Sequence, residues 1–532
     1  MKMKVQANNI IALSFLSVFY FVFRLIGLGF DVINIDYPLW DNRASNFYIY
    51  LKTFNFPETY RTGHPGVTLM WIAGGAMEIF SRIYHFFFHV QPVVNDYAVF
   101  PWRSLVIKLS LVFSIYVITL LSLFVIERLT SKRVAILFFF LLSIEPFIFA
   151  HDRIFHLDGL LTSLVFLSAL LSIFFWRSKG HLSRRALYIT LLSGAFSSSM
   201  AFLTKVTGVF AFLFFYFTGL FFFVVRKKFL LRRYIGYGLV YFLSFLAFFV
   251  IFFPAAWVGP INVFMKMAAD ALSLSVGGHN QYFLGRWTDD PGILYYLFVF
   301  AFKLSPIAIL WGMASVILVL LRKKLGVKVG KSGDILVLLV SFVFLFVLEI
   351  SISSKKIPRY IIPTIPAILL LVSILAINFY DSCKNLRKIF IAFAVLTFVY
   401  QGFWVYKLFP NILAYASPLL GGMRSEDYYI GNKHFGFGLK EVADYLNAKP
   451  YSKEIRLIFD GAGSIGPFFF GMARDETYIF RDSVAKCDYF LLPYYLINKD
   501  EIFLEVKSHF NLDKVFYVND YPYWYLYKNN GK

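Results

Sequence analysis

Apolar blocks of about 20 residues recur along the chain, each closed by a short charged break, and a helix of that length crosses the roughly 30 Å of bilayer hydrocarbon. They fall at residues 10–30, 104–127, 134–150, 157–176, 186–203, 206–225, 234–255, 293–321, 334–352, 361–379 and 389–408, which predicts eleven spans. Such a chain is not a soluble enzyme. Of its 532 residues 59% are hydrophobic and 16% charged, against about 25% charged in soluble domains. In a soluble protein the formal charge of +21 would suggest nucleic acid, but here most basic residues sit in the breaks between blocks, so the expected partner is the bilayer and not nucleic acid. Cys383 and Cys487 have no paired spacing, which excludes a disulfide framework and a cysteine-based metal cluster.

Lys and Arg in short loops are retained on the cytoplasmic side during insertion. Loops 128–133, 177–185, 226–233, 322–331 and 384–388 carry 20 of them in 38 positions, whereas 151–156, 204–205, 256–292 and 353–360 carry 7 in 53. The first set is therefore expected inside, together with Lys2, Lys4 and the N-terminus, and an odd span count puts the C-terminus outside. The first block is long, contains Arg24 and lacks a small-residue cleavage site, so it reads as a retained span and not a signal peptide. The expectation is an integral, multi-pass protein of a prokaryotic cell membrane.

Three outer pieces are too large to be connectors: 31–103, 256–292 and the tail from 410. Within the first, Val67 to Phe88 is apolar but interrupted by Gly74, Gly75, Glu78, Arg82 and His85, which predicts one or two helices lying in the interface. A twelfth span there would invert every later loop. The tail alternates short patterns: helical at Leu439 to Asn447, strand-like at Ile455 to Phe459 and Tyr489 to Leu492, helical at Glu501 to Phe510, and Lys514 to Tyr527 broken at Asn519-Asp520. The fold class expected is a polytopic α-helical membrane protein, with residues 1–409 as the transmembrane domain and 410–532 as a small extracytoplasmic α/β domain.

An ionised carboxylate at the membrane boundary is costly without a task or a partner. The outer-face candidates are Asp36, Asp41, Asp152, Asp158, Asp289 and Asp290. By position alone Asp41 reads first as the cap of the helix that follows it. The same face carries Arg24, Arg43, His64, Arg103, Arg153, His156, Lys205, His279, Arg286, Lys355, Lys356 and Arg359, and so many cations together suit a phosphate-bearing ligand. Individually, Arg24 and Lys205 also fit pairing with Asp41 or Asp158 inside the membrane. Gly461 to Gly466 spells GxGxxG, but Pro467 follows at once and no full βαβ unit is present, so it reads as a turn. No metal-ligand cluster is apparent. No cofactor is implied, and a divalent metal is left open.

In order, these motifs resemble the GT-C class of lipid-phosphate-dependent glycosyltransferases, in particular the protein O-mannosyltransferase and lipid A aminoarabinose transferase group, over residues 15–375. Phe23-Arg24-Leu25 and an acidic motif in the first outer loop are similar to the family's opening, although the family's Asp-Glu pair reads Asp41-Asn42 here. His64-Pro65-Gly66, Trp102-Arg103-Ser104, Arg153 to Gly159, Phe202 to Lys205, Gly278 to Tyr282 with Tyr295-Tyr296, and Lys356 to Tyr360 with Pro363 and Pro366 follow in family order. The resemblance implies a transmembrane catalytic domain that moves a sugar from a polyprenyl (dolichyl or undecaprenyl) phosphate to a hydroxyl of a protein, lipid or glycan, with inversion. It implies Asp41 as the catalytic base. Arg43, His64, Lys205, His279 and Arg359 would contact the donor phosphate, with Arg24, Arg153, Asp158 and Tyr360 in support and no metal site. A transporter or flippase of a lipid-linked glycan is the rival. It would explain the buried cations, but such proteins commonly show internal repeats, and none is evident.

Overall fold

The computed structural model describes residues 2–31, 33–94, 96–178, 182–276, 280–321, 332–431, 435–459, 461–474, 487–494 and 509–531. The first block forms α1 (Lys2–Leu25), which stops before Gly27 and Gly29, both at positive φ. The segment 31–103 after it holds α2 (Tyr37–Lys52) and α3 (Val67–Phe88). The bundle continues through α4 (Phe100–Leu129), α5 (Lys132–Ile144), α6 (Pro146–Asp152), α7 (Leu157–Ser178), α8 (Arg184–Thr204), α9 (Val209–Leu220) and α10 (Leu231–Phe252). Beyond α10 lie α11 (Pro254–Val258), α12 (Pro260–Val276) and the hairpin of β1 (Gln281–Phe283) and β2 (Arg286–Thr288). Then come α13 (Tyr295–Lys303), α14 (Pro306–Leu321), α15 (Gly333–Ile352), α16 (Ile365–Ser382) and α17 (Arg387–Leu408).

Among the described residues eight helical segments are long and apolar enough to cross a membrane, or ten if each of two bent pairs is one span, and Ser14–Leu25 of α1 is a shorter apolar helix. These segments coincide with the eleven blocks of the sequence, and α3 is not among them. Helix α7 is the hub, buried over nearly its whole length against α4, α8 and α9. Helices on the rim turn Phe113, Leu243, Phe344 and Leu396 outward. Water would penalise that surface; lipid does not.

Two blocks expected as single spans, 134–150 and 293–321, are broken instead. Helices α5 and α6 meet at 71° and α13 and α14 at 114°. Pro146 and Pro306 explain the breaks, since proline cannot donate to the preceding turn and forces the residues before it toward extended backbone. The polar groups released at the two breaks satisfy each other. Glu145 accepts from the Ser305 backbone N–H at 3.1 Å and the Ser305 hydroxyl at 2.6 Å. Gln401 of α17 accepts from the Ile307 N–H at 3.2 Å and donates to the Ile144 carbonyl at 2.8 Å. Non-helical backbone at membrane depth is tolerated only when buried and paired in this way.

The tail holds α18 (Gly422–Tyr429), α19 (Leu439–Asn447), β3 (Arg456–Ile458), the short α20 (Ala462–Ile465), β4 (Met472–Arg474), β5 (Tyr489–Pro493), β6 (Phe510–Val518) and β7 (Tyr521–Asn529). The sheet order is β4-β3-β5-β7-β6, with β3 parallel to both neighbours and β5, β7 and β6 antiparallel. Asn519 and Asp520, at φ 53° and 61°, make the two-residue hairpin turn that interrupts the last pattern. Of the helix expected at Glu501 to Phe510, residues 501–508 lie outside the described residues, and Phe510 opens β6 instead. The GxGxxG segment, expected as a turn, forms the one-turn helix α20, and it packs closely, since a Cβ on Gly463 would come within 2.9 Å of the Pro38 ring at the start of α2.

Candidate functional site

The loops expected on the outer face converge at one end of the bundle around Asp158 in the first turn of α7. Its carboxylate meets Lys205 Nζ at 2.9 Å, His156 Nδ1 at 3.1 Å and Arg359 Nε at 3.1 Å. Two of these groups also reach a second acid: Asp36 Oδ2 lies 3.1 Å from His156 Nε2 and 3.3 Å from Arg359 Nη2. Asp36 Oδ1 has no hydrogen-bond partner among the described residues. Burial alone would raise the Asp36 pKa, but the hydrogen bond and charge of His156 and the charge of Arg359 outweigh it and hold the carboxyl at about 2.

Local structure explains how distant residues meet. Asp36 occupies the N-cap position of α2, and Arg359 lies on the 3₁₀ turn Pro358–Thr364 that leads into α16. Lys205 is extended (φ −156°, ψ 143°) between α8 and the 3₁₀ turn before α9, with its ammonium 4.2 Å above the Tyr360 ring. The His64-Pro65-Gly66 turn is pinned to this corner because Gly66 N–H donates to the Thr204 carbonyl at 3.1 Å. Gly66 is required there, since its φ is +61° and a Cβ would collide with the Trp40 ring. Burial, aided by the charges of Lys205 and Lys355, pushes the His64 pKa down to about 3, so its ring is neutral near pH 7.

This shift predicts an acid-side instability. Between the folded value of about 3 and the ordinary 6.5, the unfolded chain binds a proton that folded His64 does not, so stability falls as pH drops through that window. Melting curves from pH 7 to pH 4 are expected to decline. His64→Gln should remove up to about 1.4 kcal/mol per pH unit of that slope.

Beside the cluster lies a cavity of about 290 Å³, lined by Asp36, His151, Gln281, Tyr282, Trp287, Lys303, Lys355, Arg359, Glu426 and Phe435, among others. Its roof is the segment around Phe435, over which Arg359 lies at 4.7 Å. The tail's sheet holds that segment, with the Trp524 indole N–H donating to the Phe437 carbonyl at 2.9 Å. Glu426 of α18 is raised to about 7 by burial, against the lowering effect of Lys303. Among the described residues no three His, Cys, Asp or Glu side chains converge as a metal site.

The structure sorts the residues expected from sequence. Lys205, Arg359, Asp158, Tyr360 and His64 come together. Asp41 does not line the cavity, nor is it a cap: α2 begins four residues earlier, and Asp41 Oδ1 pairs with Arg103 Nη1 at 2.5 Å. Arg43 stacks over Trp40 at 4.7 Å, close enough to Asp36 and Arg61 to feel their charges. Arg24 and Arg153 are structural. Arg24 grips Asp152 at 2.7 Å, and Arg153 pairs at 2.6 Å with Asp31, which also receives Lys108 at 3.2 Å. His279 lies outside the described residues. Sequence reasoning counted Asp36 among the outer-face acids and His156 and Lys355 among the outer-face cations without giving any of the three an individual role, and passed over His151, Lys303 and Glu426. Lys303, a cation inside an apolar block, was the available signal.

No family model matches the chain, and no curated protein matches it. Solved structures do. The apo crystal structure of ArnT from Cupriavidus metallidurans aligns over 98% of both chains with TM-score 0.54 and 14% identity. The same protein bound to undecaprenyl phosphate gives 0.54 and 13%, again over 98% of both chains. The Archaeoglobus fulgidus oligosaccharyltransferase AglB, in complex with an inhibitory peptide and a dolichol-phosphate, gives 0.51 and 12%, over 94% of this chain and 72% of that one. Over almost its whole length, therefore, the chain has the fold seen in ArnT and AglB.

Proposed function

We propose that this protein transfers a sugar from a polyprenyl phosphate to an acceptor hydroxyl at one face of the membrane. The observation that carries this reading is the convergence of a carboxylate with an open oxygen, Asp36, with the cations Arg359 and Lys355 on one cavity at the end of a membrane bundle, backed by His156 and Lys205 in the cluster beside it. ArnT, which shares the fold, has been crystallised with undecaprenyl phosphate, and a lipid phosphate suits the same cations here. A nearly wholly apolar groove of about 750 Å³, lined by Phe300, Leu304, Met313, Val316 and Leu371 among others, runs along α13, α14 and α16 and suits a polyprenyl chain. The loop bias assigns this face to the outside of the cell membrane, with the N-terminus inside.

In the reaction, the acceptor oxygen attacks the anomeric carbon as the bond from that carbon to the phosphate oxygen breaks. Attack opposite the leaving group inverts the centre. Arg359, Lys205 and Lys355 offset the charge gathering on the departing phosphate. The attacking hydroxyl becomes strongly acidic as its new bond forms, so even a carboxylate of low pKa can take its proton through Asp36 Oδ1. We assign the base to Asp36 and not Asp41, because Asp41 is occupied by Arg103 and does not line the cavity.

Arg359→Ala is expected to weaken binding of bare undecaprenyl phosphate by about 10- to 100-fold, the value of a charge-assisted contact. Calorimetry on the purified protein measures it. Protein cations serve the phosphate in this account, so transfer is expected to continue in excess EDTA. Loss of activity restored by Mg²⁺ or Mn²⁺ would show that a metal takes part. Mass spectrometry of surface glycans and glycoproteins with and without the gene tests the function itself. One sugar should be missing without the gene, and identical profiles would count against transfer.

A further inference from the structure

The cavity beside the phosphate-side cluster is also lined by buried groups that phosphate chemistry does not use. Glu426 is almost fully buried. Its Oε1 meets Lys303 Nζ at 2.5 Å, while Oε2 has no hydrogen-bond partner. Lys303 is fixed by a further bond of 2.8 Å to the Tyr415 carbonyl. His151, also buried, has an unpartnered Nδ1, and its ring stands edge-on to Phe147 at 4.9 Å. An unpaired carboxylate oxygen in a closed site is costly, and buried polar groups almost always find a partner. Three features point to a ligand as that partner: Glu426 and His151 line the same cavity as Asp36 and Arg359, Tyr282 and Trp287 supply aromatic walls, and about 290 Å³ suits one small ring.

We propose that Glu426, carried by α18 and steadied by Lys303, is the sugar-recognition residue, its free Oε2 accepting a hydrogen bond from a ring hydroxyl of a pyranose seated between it and Asp36. The proposal rests on the glycosyl-transfer reading above and adds where the transferred sugar is read. The aromatic walls take its C–H faces, and His151 Nδ1 is the second polar contact. A site built around a buried group of this kind rejects sugars that leave the group unpaired. The pair Glu426–Lys303 would then set which lipid-linked sugar is accepted, while Arg359 and Lys205 hold the phosphate common to all of them.

The test measures the affinity of the purified full-length protein for bare undecaprenyl phosphate and for undecaprenyl phosphates carrying glucose, galactose, mannose or N-acetylglucosamine. At least one sugar is expected to tighten binding to wild type by about tenfold or more, the value of one charge-assisted hydrogen bond. In Glu426→Gln that increment should shrink to within about twofold, with bare lipid phosphate binding unchanged. A merely structural pair would weaken both ligands alike. If the single variant does not fold, Glu426→Gln combined with Lys303→Met leaves no charge buried alone and should give the same selective loss. A wild type that gains nothing from any of these sugars, or an increment that survives in either variant, overturns the proposal. Failure of wild type to bind bare undecaprenyl phosphate would instead overturn the glycosyl-transfer reading.

Discussion

Asp36→Asn is expected to lower sugar transfer by about 10²–10⁴-fold, the usual cost of losing a general base, while the protein stays folded and still binds undecaprenyl phosphate. The amide keeps the size of the carboxylate and accepts through its oxygen but cannot take up the acceptor's proton. It also removes a negative charge beside the phosphate position, so lipid binding should not weaken. Asp41→Asn is the informative comparison. Asp41 holds Arg103 at 2.5 Å and lies outside the cavity lining, so its loss should appear as lowered thermal stability, with transfer well above that of Asp36→Asn. The opposite ranking would return the base to Asp41.

The second large effect concerns the frame. Arg24 is fully buried and donates through Nε and Nη2 to Asp152 Oδ2 at 2.9 and 2.7 Å. It also reaches the Tyr20 and Ser143 carbonyls at 3.2 and 3.3 Å. This joins α1 to the end of α6, from which the chain turns into His156 and Asp158. Arg24→Met is expected to destabilise the fold by about 3–5 kcal/mol, because Asp152 is left charged and alone in the interior. Adding Asp152→Asn should recover much of the loss. Thermal unfolding of the single and double variants measures this, and a double variant no more stable than Arg24→Met would show that packing and not charge is what Arg24 supplies.

Much of the architecture was legible because it rests on runs and alternation. The apolar blocks map onto the bundle, α19 matches its pattern at both ends, and Asn519-Asp520 marks the hairpin. What the sequence hid depends on long-range pairing. Pro146 and Pro306 are visible as helix breakers, but a break of 71° or 114° is tolerable only because Glu145 reaches Ser305 and Gln401 serves both breaks, which no local pattern reveals. The site divides in the same way. Lys205 and Arg359 were found because each lies in a short loop expected on one face, and His64 because of its His-Pro-Gly motif in the first outer piece. Asp36 and Asp41 are five residues apart in a single loop-to-helix passage, so spacing alone cannot say which faces the cavity. Glu426 was missed because the tail carries many acids, and only burial against Lys303 sets it apart.

The most direct test supplies the purified protein with undecaprenyl phosphate bearing a radiolabelled sugar and with cell-envelope material from a strain lacking the gene. The account predicts that label moves to the envelope material and free undecaprenyl phosphate is released with wild type, and that neither happens with Asp36→Asn. Label that stays on the lipid with wild type, or moves equally well with Asp36→Asn, would contradict it.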